Sequence, residues 1–309
     1  MRKRLIALAI PVLLISAALV ATLLQQRATA PGAATEQRQA QHEYAAHVDD
    51  LPERERSAVQ SISIAADTFA THLPLVAIDT GGQEIPGDVM VDDDGHAVMR
   101  ADGNHELTTT PEGEEDATVT ISIYDNDGHA NRLSDEPAVQ THTLIHYRGN
   151  SSRRFPKRNY SLHFVDEDGE NASYEAMGMP ADNGWILNGP YLDKSLLRNY
   201  LSYTVFSSFT NYAPRVRFCE LFVDGTYRGV FLLMEAVDVG ENRIPLTEGQ
   251  TSVNAVQDGG VESSYLLRLD RYDMDAQTIG TLSSQVGLIE SSMAIEYPNE
   301  LDLTEAQKT

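Results

Sequence analysis

The sequence predicts an α+β fold, and three observations carry that prediction. Strand-length runs rich in β-branched residues recur from Leu75 onward. After Asp193, apolar residues repeat at helical spacing. The pair Asp224-Gly225 divides two long apolar runs and marks a tight hairpin.

A chain of 309 residues accommodates one large domain or two ordinary ones. Its formal net charge of -23 argues against duplex nucleic acid as a partner, because such proteins present a basic face. At the N-terminus, Met1-Arg-Lys-Arg4 precedes Leu5 to Leu24, twenty residues without a charge. At ~1.5 Å per residue that run crosses a hydrocarbon core of ~30 Å. The basic flank stays inside and the remainder faces out. Residues 1–30 are therefore a retained membrane anchor or a signal peptide, with Ala28-Thr29-Ala30 as a small-residue cleavage site. Cys219 is the single cysteine, so no intrachain disulfide forms, and its strand-like setting reads as a buried, inert thiol.

Residues 31–60 read as a polar tether, with brief helical stretches around Glu36–Arg56. Residues 61–135 read as a β-rich module. Its strands are Leu75–Asp79 and Ala117–Tyr124, with turns at Gly81-Gly82 and Asp127-Gly128. Asp92-Asp-Asp-Gly95 lacks the spacing and closing Glu of a calcium loop and reads as a solvated acidic loop.

A second block begins near Val139. Val139–Arg148 and Lys157–Val165 read as paired strands, with Tyr160, Leu162 and Phe164 on one face by period 2. His142, His146 and His163 lie nearby and read as polar-face residues rather than zinc ligands. Between the strands, five of the 23 Lys+Arg residues fall in Arg148–Arg158, beside a Gly and two Ser. That mixture suits a phosphate-handling hairpin, with side-chain cations, hydroxyls and close backbone N–H groups. It equally suits a solvated basic turn.

Asn183–Pro190 is a short apolar segment bounded by turn residues. Asp193 then opens a helix as its cap, with Leu197, Tyr200, Leu201, Thr204 and Val205 on the inner face. Val216–Val223 and Tyr227–Met234 form the hairpin around Asp224-Gly225, and Glu235 follows its apolar end. Ser264–Asp270 is a further strand. Asp270, Asp273 and Asp275 read as a solvated acidic loop rather than a metal site, and Thr304 caps a helix start.

Together these motifs resemble the CotH family of atypical protein kinases, first known from bacterial spore coats. The resemblance rests on Arg148-Gly-Asn-Ser-Ser152, Phe155-Pro-Lys157, Trp185-Ile-Leu187, Asp193-Lys-Ser-Leu-Leu-Arg-Asn199, the hairpin Leu221–Phe231, and Glu235. It covers about residues 139–309, so 136–309 is expected to be a CotH kinase-like domain, C-terminally incomplete.

The resemblance implies the nucleotide-binding half of a kinase-like fold. It implies ATP and a divalent metal, magnesium first, as cofactors, and a protein substrate that receives phosphate. Phosphoryl transfer needs a lysine, backbone donors and metal-holding carboxylates to place and neutralise the triphosphate. By that logic Lys157 contacts the α/β-phosphates, while Arg148, Gly149, Ser151 and Ser152 wall them. Glu235-Ala-Val237 is where a hinge would meet adenine, with Asp193 and Arg198 in support. Two departures accompany the resemblance. The helix after Asp193 carries no Glu to pair with Lys157, leaving Glu175, Asp193 and Glu235 as candidates. The family's catalytic-loop and metal-binding aspartates are expected downstream of Thr304, so no catalytic residue is assigned here. A non-catalytic, membrane-anchored surface protein that binds nucleotide, a wall polyanion or a partner is the competing expectation.

Overall fold

The computed structural model describes residues 51–59, 64–101, 103–246, 266–271, 278–281 and 291–297. The Leu5–Leu24 span, the cleavage site at Ala28–Ala30, most of the tether, Asp273, Asp275 and the helix start at Thr304 lie outside the described residues. Among the described residues no helix is long and apolar enough to cross a membrane.

After a short helix, α1 (Glu53–Val59), the chain is strand upon strand. In order these are β1 (Leu75–Asp79), β2 (Ala117–Tyr124), β3 (Val139–Arg148), β4 (Asn159–Val165), β5 (Tyr174–Ala176) and β6 (Met179–Asp182). They continue with β7 (Gly184–Asn188), β8 (Val216–Val223), β9 (Thr226–Glu235), β10 (Leu266–Arg271), β11 (Thr278–Thr281) and β12 (Ser291–Tyr297). The second helix, α2 (Arg198–Phe206), lies between β7 and β8.

Seven strands close a barrel in the order β1-β2-β3-β4-β7-β9-β8. Every neighbour pair is antiparallel except the seam, where β8 runs parallel to β1. Strand alternation fills the interior. Val119, Ile121 and Ile123 of β2, Leu162 and Phe164 of β4, and Trp185 and Leu187 of β7 share one buried core. Cys219 and Leu221 of β8 and Phe231 and Leu233 of β9 complete it. Cys219 is fully buried, and burial pushes its thiol up.

The α+β, kinase-like expectation is therefore corrected: the described chain is mainly β, built on a closed barrel. Alternation in each strand announced one covered face, but not that strands on both sides of position 135 would cover one another. β1 and β2, expected in an all-β module, are staves of the same barrel as β3, β4, β7, β8 and β9. Closure also leaves this sheet without a free edge.

The hairpin expectation holds in detail. β8 and β9 pair around Asp224 and Gly225, both at positive φ (48° and 69°) as a primed turn requires. The helix expectation needs two corrections. Asp193 does not start the helix. Its carboxylate accepts Ser195 N–H, Ser195 Oγ–H and Arg198 N–H, so a turn precedes α2. The inner face is also rotated. Tyr200 and Tyr203 pack on Ile186, Val216, Leu232 and Met234 outside the barrel, with Thr204 and Ser207 buried beside them. Leu197, Leu201 and Val205 are exposed. The outer sheet face offers aromatic and aliphatic partners, and Tyr200 meets Phe218 with ring centroids 5.0 Å apart.

β5 and β6 form a small hairpin, and β10-β12-β11 form a three-stranded sheet. The strand expected at Ser264–Asp270 is β10.

Candidate functional site

The basic segment forms the connection between β3 and β4, with a 3-10 turn at Ser151–Arg154. Gly149, at φ 112°, makes the bend that lets the turn fold back. A Cβ there would stand 2.0 Å from Ser152 Oγ, so a larger residue would displace that hydroxyl and strain the backbone.

The five cations of this loop divide into two sets. Arg153 donates to the carbonyls of Gly149, Gly87 and Tyr147. Arg158 pairs with Asp88 at 2.5 Å, and Arg154 contacts His105. These three hold the segment 87–108 against the barrel mouth. Arg148 and Lys157 form no ion pair with any described residue and are the cations left for another task.

Lys157 is half-buried. Its ammonium donates to Val230 O at 2.5 Å and lies 4.5 Å from the centroid of the Phe231 ring. Burial lowers its pKa; the Glu220 carboxylate opposes that shift and Lys194 adds to it. Neither Glu175, Asp193 nor Glu235 pairs with it. The carboxylate it feels, Glu220, is itself bound by Tyr227 Oη–H at 2.5 Å and Thr71 Oγ1–H at 3.5 Å. Two glycines make room for the lysine. A Cβ at Gly189 would lie 2.8 Å from Lys157 Cγ, and one at Gly229 would lie 3.4 Å from Lys157 Nζ.

A polar chain couples the loop to α2. Asn199 Nδ2 donates to Asn188 Oδ1, and Asn188 Nδ2 donates to Asn159 Oδ1, two residues beyond Lys157. Gly189 N–H donates to the same Asn159 oxygen at 2.7 Å. Phe155 stacks on Tyr191 at 5.2 Å, and Lys194 covers the other ring contact at 4.1 Å. Asp193, held in its turn by Ser195 and Arg198, thus sits on the segment that packs against the loop. Arg198 Nε is 3.6 Å from its carboxylate and largely exposed.

Arg148, Gly149, Ser151, Ser152 and Lys157 come together on one connection, with Asp193 and Arg198 alongside. Glu235 and Val237 do not. Glu235 lies five residues beyond Val230 on β9, about 16 Å at ~3.3 Å per residue. Its carboxylate is fully buried between Arg215 at 2.7 Å and Arg243 at 3.0 Å. Val237 is exposed beyond the strand. Sequence reasoning gave no site role to the three asparagines, Tyr191, Lys194 or the partners in segment 87–108. Asparagine at sheet ends has no periodic signature, and the 87–108 contacts span more than 40 positions.

Among the described residues no three His, Cys, Asp or Glu side chains cluster where a metal ion could bind. His146 Nδ1 instead meets Asp116 Oδ1 at 2.6 Å. The described residues therefore do not supply a metal site, whereas the unpaired cations and the glycine-made space do fit phosphate.

The fold and site define a closed β-barrel protein with a basic, glycine-bent loop at one barrel mouth. Residues 145–286 match the family described as CotH kinase protein. A stretch of 94 residues is 33% identical to the inner spore coat protein H of Bacillus subtilis (strain 168). That match covers 30% of this chain and 24% of the relative's length.

Proposed function

We propose that the β3–β4 loop binds the phosphates of ATP, and that the chain serves a CotH-type protein kinase acting on Ser or Thr of an extracytoplasmic or coat protein. The observation that supports this most is Lys157. It is a half-buried cation with no carboxylate partner, in space kept open by Gly189 and Gly229, within the segment that matches the CotH kinase family. Arg148 supplies a second free cation, and Ser151, Ser152 and the Gly149 bend supply donors. A divalent ion would arrive with the nucleotide and neutralise its charge. The coat setting follows the name of the similar spore coat protein.

The test is ATP binding by the full chain, with magnesium, read by calorimetry. Lys157→Ala should weaken binding at least about tenfold, since a hydrogen bond to a charged group contributes ~1.5–3 kcal/mol. Equal affinity in the variant and the parent would remove Lys157 from the site.

A second reading is a non-catalytic surface protein that binds a polyanion. The closed barrel favours it, because a sheet without free edges and with its own core needs no second lobe to be covered. Anion binding without phosphotransfer, even in the longest native form, would establish it.

A further inference from the structure

α2 carries an apolar face that the barrel leaves uncovered. Leu197, Leu201 and Val205 stand at i, i+4 and i+8 on one ridge of the helix, and all three are exposed. Beyond Phe206 the chain keeps coiling, with Ser207 N–H donating to Tyr203 O and Phe209 N–H to Phe206 O. That i+3 turn sets Phe209 beside Phe206, and the two rings are 70% and 54% exposed. Leu192, just before the Asp193 turn, is exposed as well.

These six are among thirteen exposed large apolar side chains of the described residues, so they form a cluster rather than a scatter. Such clustering marks a surface that is covered in use. The helix cannot roll to bury the ridge, because Tyr200 and Tyr203 on its other side already pack on the outer sheet face.

Charge separates the occupants this face could take. From Lys194 to Cys219 the sequence has no acidic residue, in a chain with 46 Asp+Glu. Lys194 and Arg198 stand exposed at the N-terminal end of the ridge, while Asp193 beside them is buried. An apolar ridge with cations at its border suits an anionic lipid surface, which takes both the side chains and the charge. A second copy would instead bring one net charge of -23 against another.

The N-terminal sequence points to a membrane independently. Met1-Arg-Lys-Arg4 and the uncharged Leu5–Leu24 have the flank and length of a membrane span. Residues 25–50 join that run to Leu51, a connection that reaches at most about 90 Å. An anchor at that distance raises the effective concentration of α2 at the lipid surface, so a weak contact there suffices.

We propose that α2 docks on an anionic lipid surface, with the ridge and Phe206 and Phe209 entering the headgroup boundary and Lys194 and Arg198 meeting lipid phosphates. The docking holds the barrel against the membrane by one side and is independent of nucleotide binding at the β3–β4 loop.

The experiment attaches an environment-sensitive dye to Leu201→Cys in the full chain. Cys219 is buried, so the parent takes up no dye and the label is selective. The protein is reconstituted into phosphatidylglycerol–phosphatidylcholine vesicles that carry nitroxide-labelled lipid, and quenching of the dye is read. Glu167→Cys, on the exposed turn after β4, is the control. Quenching is expected at position 201 and not at position 167. Lys194→Glu combined with Arg198→Glu should reduce it about fivefold or more. An unquenched dye at position 201, equal quenching at both positions, or equal quenching in pure phosphatidylcholine would overturn the proposal. A dye shielded before reconstitution and insensitive to the nitroxide would also overturn it, because protein then covers the face: a second copy if dilution exposes the dye, this chain if it does not.

Discussion

The Glu235 carboxylate and the Arg243 guanidinium meet at 3.0 Å with no exposed surface on either side chain. Arg215 approaches the same carboxylate at 2.7 Å through its side chain and at 2.8 Å through its backbone N–H. Arg243 also stacks over Trp185, 4.7 Å from the ring, and reaches Gly184 O at 3.3 Å. One carboxylate thus ties the end of β9 to the start of β8, to β7 and to the segment after β9.

Such a network is costly to break, because removing one partner leaves a buried charge uncompensated. Glu235→Ala should lower unfolding stability by about 3–5 kcal/mol in urea. A loss below about 1 kcal/mol would mean that the two arginines find water or another acceptor.

The rotated face of α2 gives a paired prediction. Tyr200→Ala should cost roughly 2–3 kcal/mol, because its ring lies on Phe218 and the outer sheet face. Leu201→Ala, at 51% exposure, should stay within about 0.5 kcal/mol of the parent. Reversed magnitudes would restore the face expected from helical spacing.

The β8–β9 turn should be intolerant of change at both residues. Gly225→Ala should cost about 1–2 kcal/mol, because its φ of 69° is unfavourable to a side chain. Asp224→Gly relieves its own φ of 48° but abandons Thr80 N–H and Oγ1–H, which it accepts at 2.8 and 2.9 Å. A net cost of about 1–3 kcal/mol is expected, since Thr80 is buried. Equilibrium unfolding of both variants checks this.

Lys157 should titrate below the usual lysine range. Burial disfavours its ammonium more than Glu220 supports it. Reductive ¹³C-methylation followed by NMR titration would resolve one early signal, which Lys157→Arg should delete. An ordinary lysine midpoint for the signal that Lys157→Arg deletes would remove the desolvated setting from the argument.

Asp116 gives a pH dependence on the acid side. The hydrogen bond from His146 holds its carboxyl below the usual range, against burial. A folded pKa below the unfolded value of ~3.9 means that the stabilisation is complete above that value. It is lost as pH falls through the folded pKa. The difference in Tm between the parent and Asp116→Asn should be present at pH 6 and shrink below about pH 4. A difference independent of pH would show that packing, not ionisation, carries the effect.

Local chemistry was legible in advance. β1, β2, β3, β8 and β9 were readable from β-branched runs and alternation, and the hairpin turn from Asp-Gly. The loop cations, Gly149 and the two serines were readable as one group because they are neighbours in sequence. The contact of His105 with Arg154, the bond of Glu220 to Thr71 and the relay from Asn199 through Asn188 to Asn159 were not, because those partners lie on other elements.

The sequence by itself determined where strands, turns and the basic loop would form, since propensity, period and turn chemistry act over a few residues. Tertiary structure alone decided that the strands close into a barrel, that α2 buries Tyr200 rather than Leu201, and which cations remain unpaired. Those outcomes depend on which distant faces and carboxylates come within contact range, and a one-dimensional pattern holds no such distances.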